Sequence, residues 1–348
     1  MAPELHALTS LLTAGRDLSP EEAAAAAAAL ADAALPDDAK EAFLLALARK
    51  GETAAEVAGF ARTYRGLARQ VDLGDLPARA IDIVGTGGDR SGSFNISSAS
   101  ALIVAAAGVP VLKHGNRSIT SKSGSADFLA GLGVVLEATD DQLRRGLAEA
   151  NFCYLYAPAF HPAFKAVLGV RKRIAESGVK TIFNVLGPLI NPARPAHMVV
   201  GVYDERWVEP LAAALGGLGV RRGLVTHARA GGGMDEITTA GEVRVRGCGE
   251  LAAVDAVWLP GDFGFKTCDV ADLRGGSPEE NVAMFSDLLV GGVSDGLMDT
   301  LCLSAGTALW VAGVSTDPAA GARRAREIVL GGELRAQARR LREAYRAG

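Results

Sequence analysis

Two polar loops, each closing an apolar run, gather the residues of this chain that are best suited to hold an anion. The first reads Ile81-Asp82-Ile83-Val84-Gly85-Thr86-Gly87-Gly88-Asp89 and continues through Ser93, Asn95, Ile96, Ser97 and Ser98 into an apolar helix-forming segment at 99–107. The second reads Val109-Pro110-Val111-Leu112-Lys113-His114-Gly115-Asn116-Arg117, then Ser118, Ile119, Thr120 and Ser121, then Ser123-Gly124-Ser125-Ala126-Asp127. Each is a strand, a glycine turn without bulky side chains and a serine-rich helix entry. Such a junction leaves backbone N–H groups and hydroxyls free for an anion at the positive end of a helix dipole. Two such cradles suit a small molecule with more than one phosphate, as a pyrophosphorylated compound has.

Neither familiar nucleotide loop fits. A dinucleotide fingerprint needs G-x-G-x-x-G, and Arg90 stands where the third glycine belongs. A P-loop needs G-x-x-x-x-G-K-[ST]; Gly87 and Gly92 are correctly spaced, but Ser93 replaces the lysine. In the second loop Lys113 suits phosphate as a point charge, and the following hydroxyls add donors. His114 reads equally well as a hydrogen-bonded core histidine. Further on, Met234-Asp235-Glu236-Ile237-Thr238 follows the glycines at 231–233. Adjacent carboxylates in a loop are either surface charge or oxygen ligands for Mg²⁺, which bridges protein carboxylates to substrate phosphates. No His/Cys cluster points to zinc.

The elements that must carry these loops fall into two kinds. Residues 1–72 read as helices only: Ser19-Pro20-Glu21-Glu22 is a capping box with proline in the first turn, leading into alanines at 23–29. A polyalanine helix offers a face that another helix can approach closely, or it is simply a high-propensity filler. From residue 73 to 348, short β-rich runs at 80–84, 109–113, 134–136, 152–156, 198–203, 223–226 and 256–259 alternate with helical ones. That alternation predicts an α/β domain with a mostly parallel central sheet covered by helices, its ligands at the carboxyl ends of the strands. Residues 160–180 return to a helical pattern and are expected to pack partly on the N-terminal helices. There His161 and Arg171 lie nearly three turns apart on one helical segment.

Composition narrows the functional classes. A net charge of −4 and a pI near 5.8 argue against general nucleic-acid binding. The four cysteines are scattered and without metal or redox spacing. Met1-Ala2-Pro3-Glu4 does not begin a signal peptide, and no apolar run is long enough to span a membrane, so a cytoplasmic protein is expected. The arginines near 335–346 read as a solvated helix face.

The motif series GTGGD with NISS, KHGNR with SITSKSGSAD, HPAFKAVLGVR, TIFNVLGPLINPARP and MDEIT, in this order, resembles that of the anthranilate phosphoribosyltransferases. The resemblance runs the length of the chain. Nucleoside phosphorylases share GTGGD but lack the KHGNR and TIFNVLGPL series; another aromatic amine as acceptor is the remaining alternative.

The resemblance implies Mg²⁺-dependent transfer from phosphoribosyl pyrophosphate to anthranilate, within a homodimer joined through the helical domain. It assigns Gly85, Gly88, Asp89, Ser93, Asn95, Ile96, Ser97 and Ser98 to the diphosphate. Lys113, His114, Gly115, Asn116, Arg117, Ser118, Ile119, Thr120, Ser121 and Ser125 join them there. Ser97, Asp235 and Glu236 match metal positions. Gly85, Asn116 and Arg171 match anthranilate contacts, with His114 and His161 lining the path. No general base is assigned, because the aromatic amine is already neutral near pH 7. Two stretches depart from the family pattern: the link 172–181, longer and with Lys180 in place of the usual arginine, and the approach 226–233 to the acidic pair.

Overall fold

The computed structural model describes residues 2–118 and 122–346, so Ile119, Thr120 and Ser121 of the second loop lie outside the described residues. Four helices open the chain: α1 (Ala2–Thr13), α2 (Pro20–Leu30), α3 (Asp37–Lys50) and α4 (Ala54–Leu67). The capping box at Ser19 forms as expected, with reciprocal Ser19–Glu22 bonds, and Thr53–Glu56 repeats it at α4. The alanine face does bring a helix close. A Cβ added to Gly59 of α4 would stand 2.9 Å from the Ala23 Cβ of α2, so α2 and α4 meet almost backbone to backbone.

The remainder alternates strand and helix. In order come β1 (Ile81–Gly85), α5 (Ile96–Ala106), β2 (Val111–Gly115), α6 (Ser125–Gly131), α7 (Asp140–Ala150), β3 (Phe152–Tyr156), α8 (Ala157–Phe160), α9 (Leu168–Glu176) and α10 (Phe183–Leu186). Then follow β4 (His197–Gly201), α11 (Val208–Gly217), β5 (Arg222–Ala228), β6 (Val243–Gly249), β7 (Asp255–Trp258), α12 (Pro278–Leu288), α13 (Asp295–Val311), α14 (Pro318–Leu330) and α15 (Glu333–Arg346). The sheet order is β3-β2-β1-β4-β5-β6-β7, parallel through β5 and antiparallel for β6 and β7.

Two expectations fail here. Residues 134–136 form no strand; Val134 is buried in the turn between α6 and α7 without a ladder. The strand β6 is additional, although Val243-Arg244-Val245-Arg246 alternates in and out as a half-buried strand should.

Side chains alternate across the sheet and divide the core in two. Val199 and Leu224 face the layer of α5, α13 and α15, while Met198, Val200 and Val225 face α11 and the N-terminal helices. Val167, Val170, Ile174 and Phe183 belong to that second core, together with Phe43, Phe60 and Tyr64. The segment carrying His161 and Arg171 is not one helix. His161 ends α8, a 3-10 turn spans Pro162–Val167, and Arg171 sits in α9. Proline at 162 has no N–H to continue a helical ladder, which breaks the run. No helix among the described residues is long and apolar enough to cross a membrane.

Candidate active site

The carboxyl ends of β1, β2 and β4 lie side by side in the parallel sheet, and the acidic pair folds over them. Beyond β5 the chain reverses at 229–233, where Ala228 and Met234 exchange backbone hydrogen bonds of 3.0 and 2.9 Å. This hairpin lays Asp235 across the ends of β1 and β4. A Cβ on Gly85 would lie 2.4 Å from Asp235 Oδ2, and one on Gly201 would lie 1.7 Å from the Asp235 carbonyl oxygen. Only glycine admits that approach. Gly87 N–H donates to Asp235 Oδ2 at 2.5 Å, and Asp235 N–H donates to Asp89 Oδ2 at 3.4 Å.

Glu236 reaches the start of α5, where its Oε1 accepts the Ser97 N–H at 3.2 Å. A carboxylate at a helix N-terminus is favoured by the dipole. The neighbouring amides are also engaged, Ile96 N–H with Phe94 O at 2.6 Å and Ser98 N–H with Asn95 O at 3.1 Å. The free amides expected at this helix entry are therefore used within the chain. Ser98 Oγ is buried without a hydrogen-bond partner among the described residues.

Asp89, Asp235 and Glu236 thus stand close enough for their charges to act on one another, with the Ser97 N–H on Glu236. Burial, then the charges of Asp89 and Glu236, push the Asp235 carboxyl well above its ordinary range. Burial pushes Glu236 up to about 8, against the pull of Lys113 and the Ser97 N–H. Buried carboxylates driven together in this way need a proton or a cation. Their donors are all hard oxygens, the set that Mg²⁺ takes, so these residues fit that ion.

Lys113, only 1% exposed, donates from Nζ to Ile83 O at 2.5 Å and to Ser97 Oγ at 3.4 Å. Burial lowers its pKa, while Asp82 and Glu236 oppose the shift. Asp82 is a site residue that the motif reading passed over. It is fully buried in β1, accepts from Asn191 Nδ2 at 2.8 Å, and burial holds its pKa up at about 6. Its signal was plain: an ionisable side chain between two isoleucines of a strand covered on both faces must have partners.

The second loop closes on itself. A Cβ on Gly124 would meet the Ser118 nitrogen at 2.3 Å, and Ser125 Oγ lies 3.0 Å from Tyr154 Oη, beside Gly115. Arg117 pairs with Asp127, and Asn116 Oδ1 accepts the Arg117 N–H at 2.7 Å. Arg117 and Asn116 are exposed, whereas His114 is buried.

From His114 a ring-lined wall leads toward the N-terminal helices. His114 Nε2 and His161 Nε2 are 3.2 Å apart, and His161 stacks edge-on against Phe164 at 5.7 Å. Phe164, Tyr64 and Phe183 pack mutually at 4.8 to 5.6 Å. Arg171 lies over two of these rings, 5.8 Å from the Phe164 centroid and 5.2 Å from that of Phe183. Among the described residues no carboxylate pairs with it, and burial lowers its pKa. Burial also keeps both histidines neutral, holding His114 well below its usual value and His161 at about 4. No sequence pattern singles out Tyr64, Phe164 and Phe183; only the fold gathers them beside a cation. In the unusual link, Lys180 stands over the Tyr203 ring.

Two family models match the chain. The helical bundle domain of a glycosyl transferase family covers residues 7–68, and that family's a/b domain covers 77–334. An anthranilate phosphoribosyltransferase from Natronomonas pharaonis is 43% identical over 94% of this chain and 96% of its own length. The crystal structure of the Thermus thermophilus enzyme of that name superposes with a TM-score of 0.89 at 39% identity, covering 98% of this chain and 99% of its own. The Saccharomyces cerevisiae enzyme, solved in complex with phosphoribosyl pyrophosphate and Mg, shares the fold with a TM-score of 0.85. It is 23% identical and covers 98% of this chain and 97% of its own.

Proposed function

This chain belongs to the anthranilate phosphoribosyltransferase family, and from that premise we propose which of its residues carry the reaction. It transfers the phosphoribosyl group of 5-phosphoribosyl 1-pyrophosphate to the amine of anthranilate, releasing pyrophosphate in a step of tryptophan biosynthesis. One observation carries the assignment of sites. Carboxylates set close together at the ends of β1 and β4 adjoin a ring-lined wall that ends in Arg171, a cation with no carboxylate partner among the described residues.

Asn95, Ser97 and the hydroxyls of the second loop orient the diphosphate by hydrogen bonds. Lys113 adds positive charge from beneath in its protonated form, which burial disfavours and Asp82 and Glu236 favour. Asp235, Glu236 and Ser97 would hold Mg²⁺, which when bound supplies positive charge to a departing diphosphate. Arg171 clamps the anthranilate carboxylate in its planar fork, and the rings of Phe164, Phe183 and Tyr64 exclude water from the aromatic acceptor. The amine of anthranilate then approaches ribose C1 as the bond to pyrophosphate lengthens, so catalysis is by positioning and by stabilising the leaving group. Neither histidine serves as a base; His114 and His161 stay neutral and line the path. The aryl ammonium formed on attack is acidic enough to release its proton to water.

We place the boundary between the helical and α/β domains near residue 72. The homodimer is joined through the helical domain, with Leu168, 63% exposed at the start of α9, on that surface. A cytoplasmic location completes the reading. Loss of anthranilate fluorescence on adding phosphoribosyl pyrophosphate and Mg²⁺ tests the reaction. A rate dependent on inorganic phosphate instead would point to a nucleoside phosphorylase.

A further inference from the structure

The two anion loops are joined by a third element that contributes nothing to either motif. Asn281, in the first turn of α12, is 1% exposed, and both ends of its carboxamide are engaged: Oδ1 accepts the Gly276 N–H at 2.7 Å, and Nδ2 donates to Asn95 Oδ1 at 2.8 Å. Asn95 Oδ1 also accepts from Ser123 Oγ at 3.1 Å, while its Nδ2 donates to Ser123 O at 3.3 Å. The polarity of this chain of amides is fixed at both ends by backbone groups. The Gly276 N–H can only donate, so Asn281 must turn its oxygen there and its NH₂ toward Asn95. Asn95 must then turn its oxygen to Asn281, and its NH₂ faces the Ser123 carbonyl, which can only accept. Among the described residues, one Asn95 amide hydrogen remains for a ligand, and no acceptor lone pair does.

Packing repeats the connection below. Phe94, Phe128 and Phe285 form an edge-on series with centroids 5.7 and 5.6 Å apart, one ring from each of the first loop, α6 and α12. Phe285 follows Asn281 by four residues, so both lie on one face of α12. The strap before α12 also pairs with the first loop: Phe94 N–H donates to Leu273 O at 2.8 Å, and Gly275 N–H donates to Gly92 O at 2.9 Å.

We propose that Asn281 is a positioning residue that sets the amide of Asn95 so that it presents only an N–H donor to the diphosphate, locking the first loop to Ser123 of the second. The proposal rests on the assignment of Asn95 to the diphosphate. A merely structural Asn281 would lower stability without distinguishing the substrates.

The test compares Asn281→Ala, Asn281→Asp, Asn95→Ala and Phe285→Leu, with steady-state KM for each substrate and thermal unfolding as readouts. Asn281→Asp keeps the acceptor for Gly276 but cannot donate to Asn95, so it inverts the Asn95 amide at nearly unchanged shape. It carries the test if Asn281→Ala fails to fold. Both Asn281 variants should raise the KM for phosphoribosyl pyrophosphate on the order of tenfold, the scale of one hydrogen bond to a charged group, with the anthranilate KM little changed. Phe285→Leu should lower the unfolding midpoint and leave both KM values nearly unchanged. In an Asn95→Ala background, Asn281→Ala should add almost nothing. Equal effects of Asn281→Ala with and without Asn95, or parallel rises in both KM values, overturn the proposal. An Asn95→Ala enzyme with unaltered KM for phosphoribosyl pyrophosphate overturns instead the placing of Asn95 at the diphosphate, a result separable from the first.

Discussion

Gly201 and Asp235 touch at the end of β4, so closely that a Cβ on Gly201 would lie 1.7 Å from the Asp235 carbonyl oxygen. The contact joins a strand end to a loop from a hairpin beyond the next strand, and it decides where the acidic pair stands. It is also the most exposed point of the site to a minimal change. Gly201→Ala should cost about 1–3 kcal/mol, the usual range for overpacking a filled site. It should also raise the Mg²⁺ concentration needed for half-maximal rate. Chemical denaturation and a Mg²⁺ titration of the initial rate check both, and an unaltered Mg²⁺ requirement would show that the loop moves aside without losing its function.

The acidic pair itself can be tested with shape preserved. The double variant Asp235→Asn with Glu236→Gln should fold as stably as the parent, because it removes charges that burial already disfavours. Most activity should be lost at limiting Mg²⁺, since neutral amides replace hard anionic ligands. An unchanged Mg²⁺ dependence would exclude these two residues as ligands.

Arg171 offers a split between the substrates. Arg171→Lys keeps the charge but loses the planar fork, so the anthranilate KM should rise far more than that for phosphoribosyl pyrophosphate. Anthranilamide, which has no carboxylate, should be a poor acceptor for the parent and suffer little further in the variant. An unaffected anthranilate KM would move the acceptor carboxylate elsewhere along the wall.

The pair of buried histidines sets a pH dependence of stability. His161 has its folded pKa lowered from 6.5 to about 4 by burial, so below pH 6.5 the unfolded chain binds the proton and the folded one does not. The stabilisation is complete above pH 6.5 and is lost as pH falls toward 4, with an upper size of roughly 3 kcal/mol. His161→Gln should therefore show a smaller fall in unfolding free energy than the parent between pH 7 and pH 4.5. Identical slopes would mean that His161 is solvated in the folded state.

Local pattern carried a large share of this molecule. The cap at Ser19 and the alternation of strand and helix are set by residues close in the chain, so the sequence alone determined a helical start, a mostly parallel sheet and both glycine loops at strand ends. The motif resemblance named the acidic pair and Arg171 as well. Short signals mislead at 134–136, where Val134 buries in a turn and Val135 and Leu136 stay half-buried, and the expected runs omit β6 despite its alternation.

What only the tertiary structure decided depends on contacts between distant segments. It turned Glu236 onto the start of α5, placed the ammonium of Lys113 against Ile83 and Ser97, and set Arg171 over rings from the turn at Phe164 and from α10. Asn281 meets Asn95 across 186 residues of chain. Periodicity and capping are set by neighbours along the backbone, whereas a buried polar group is placed by whichever distant donor or acceptor satisfies it. No local pattern in the sequence records that choice.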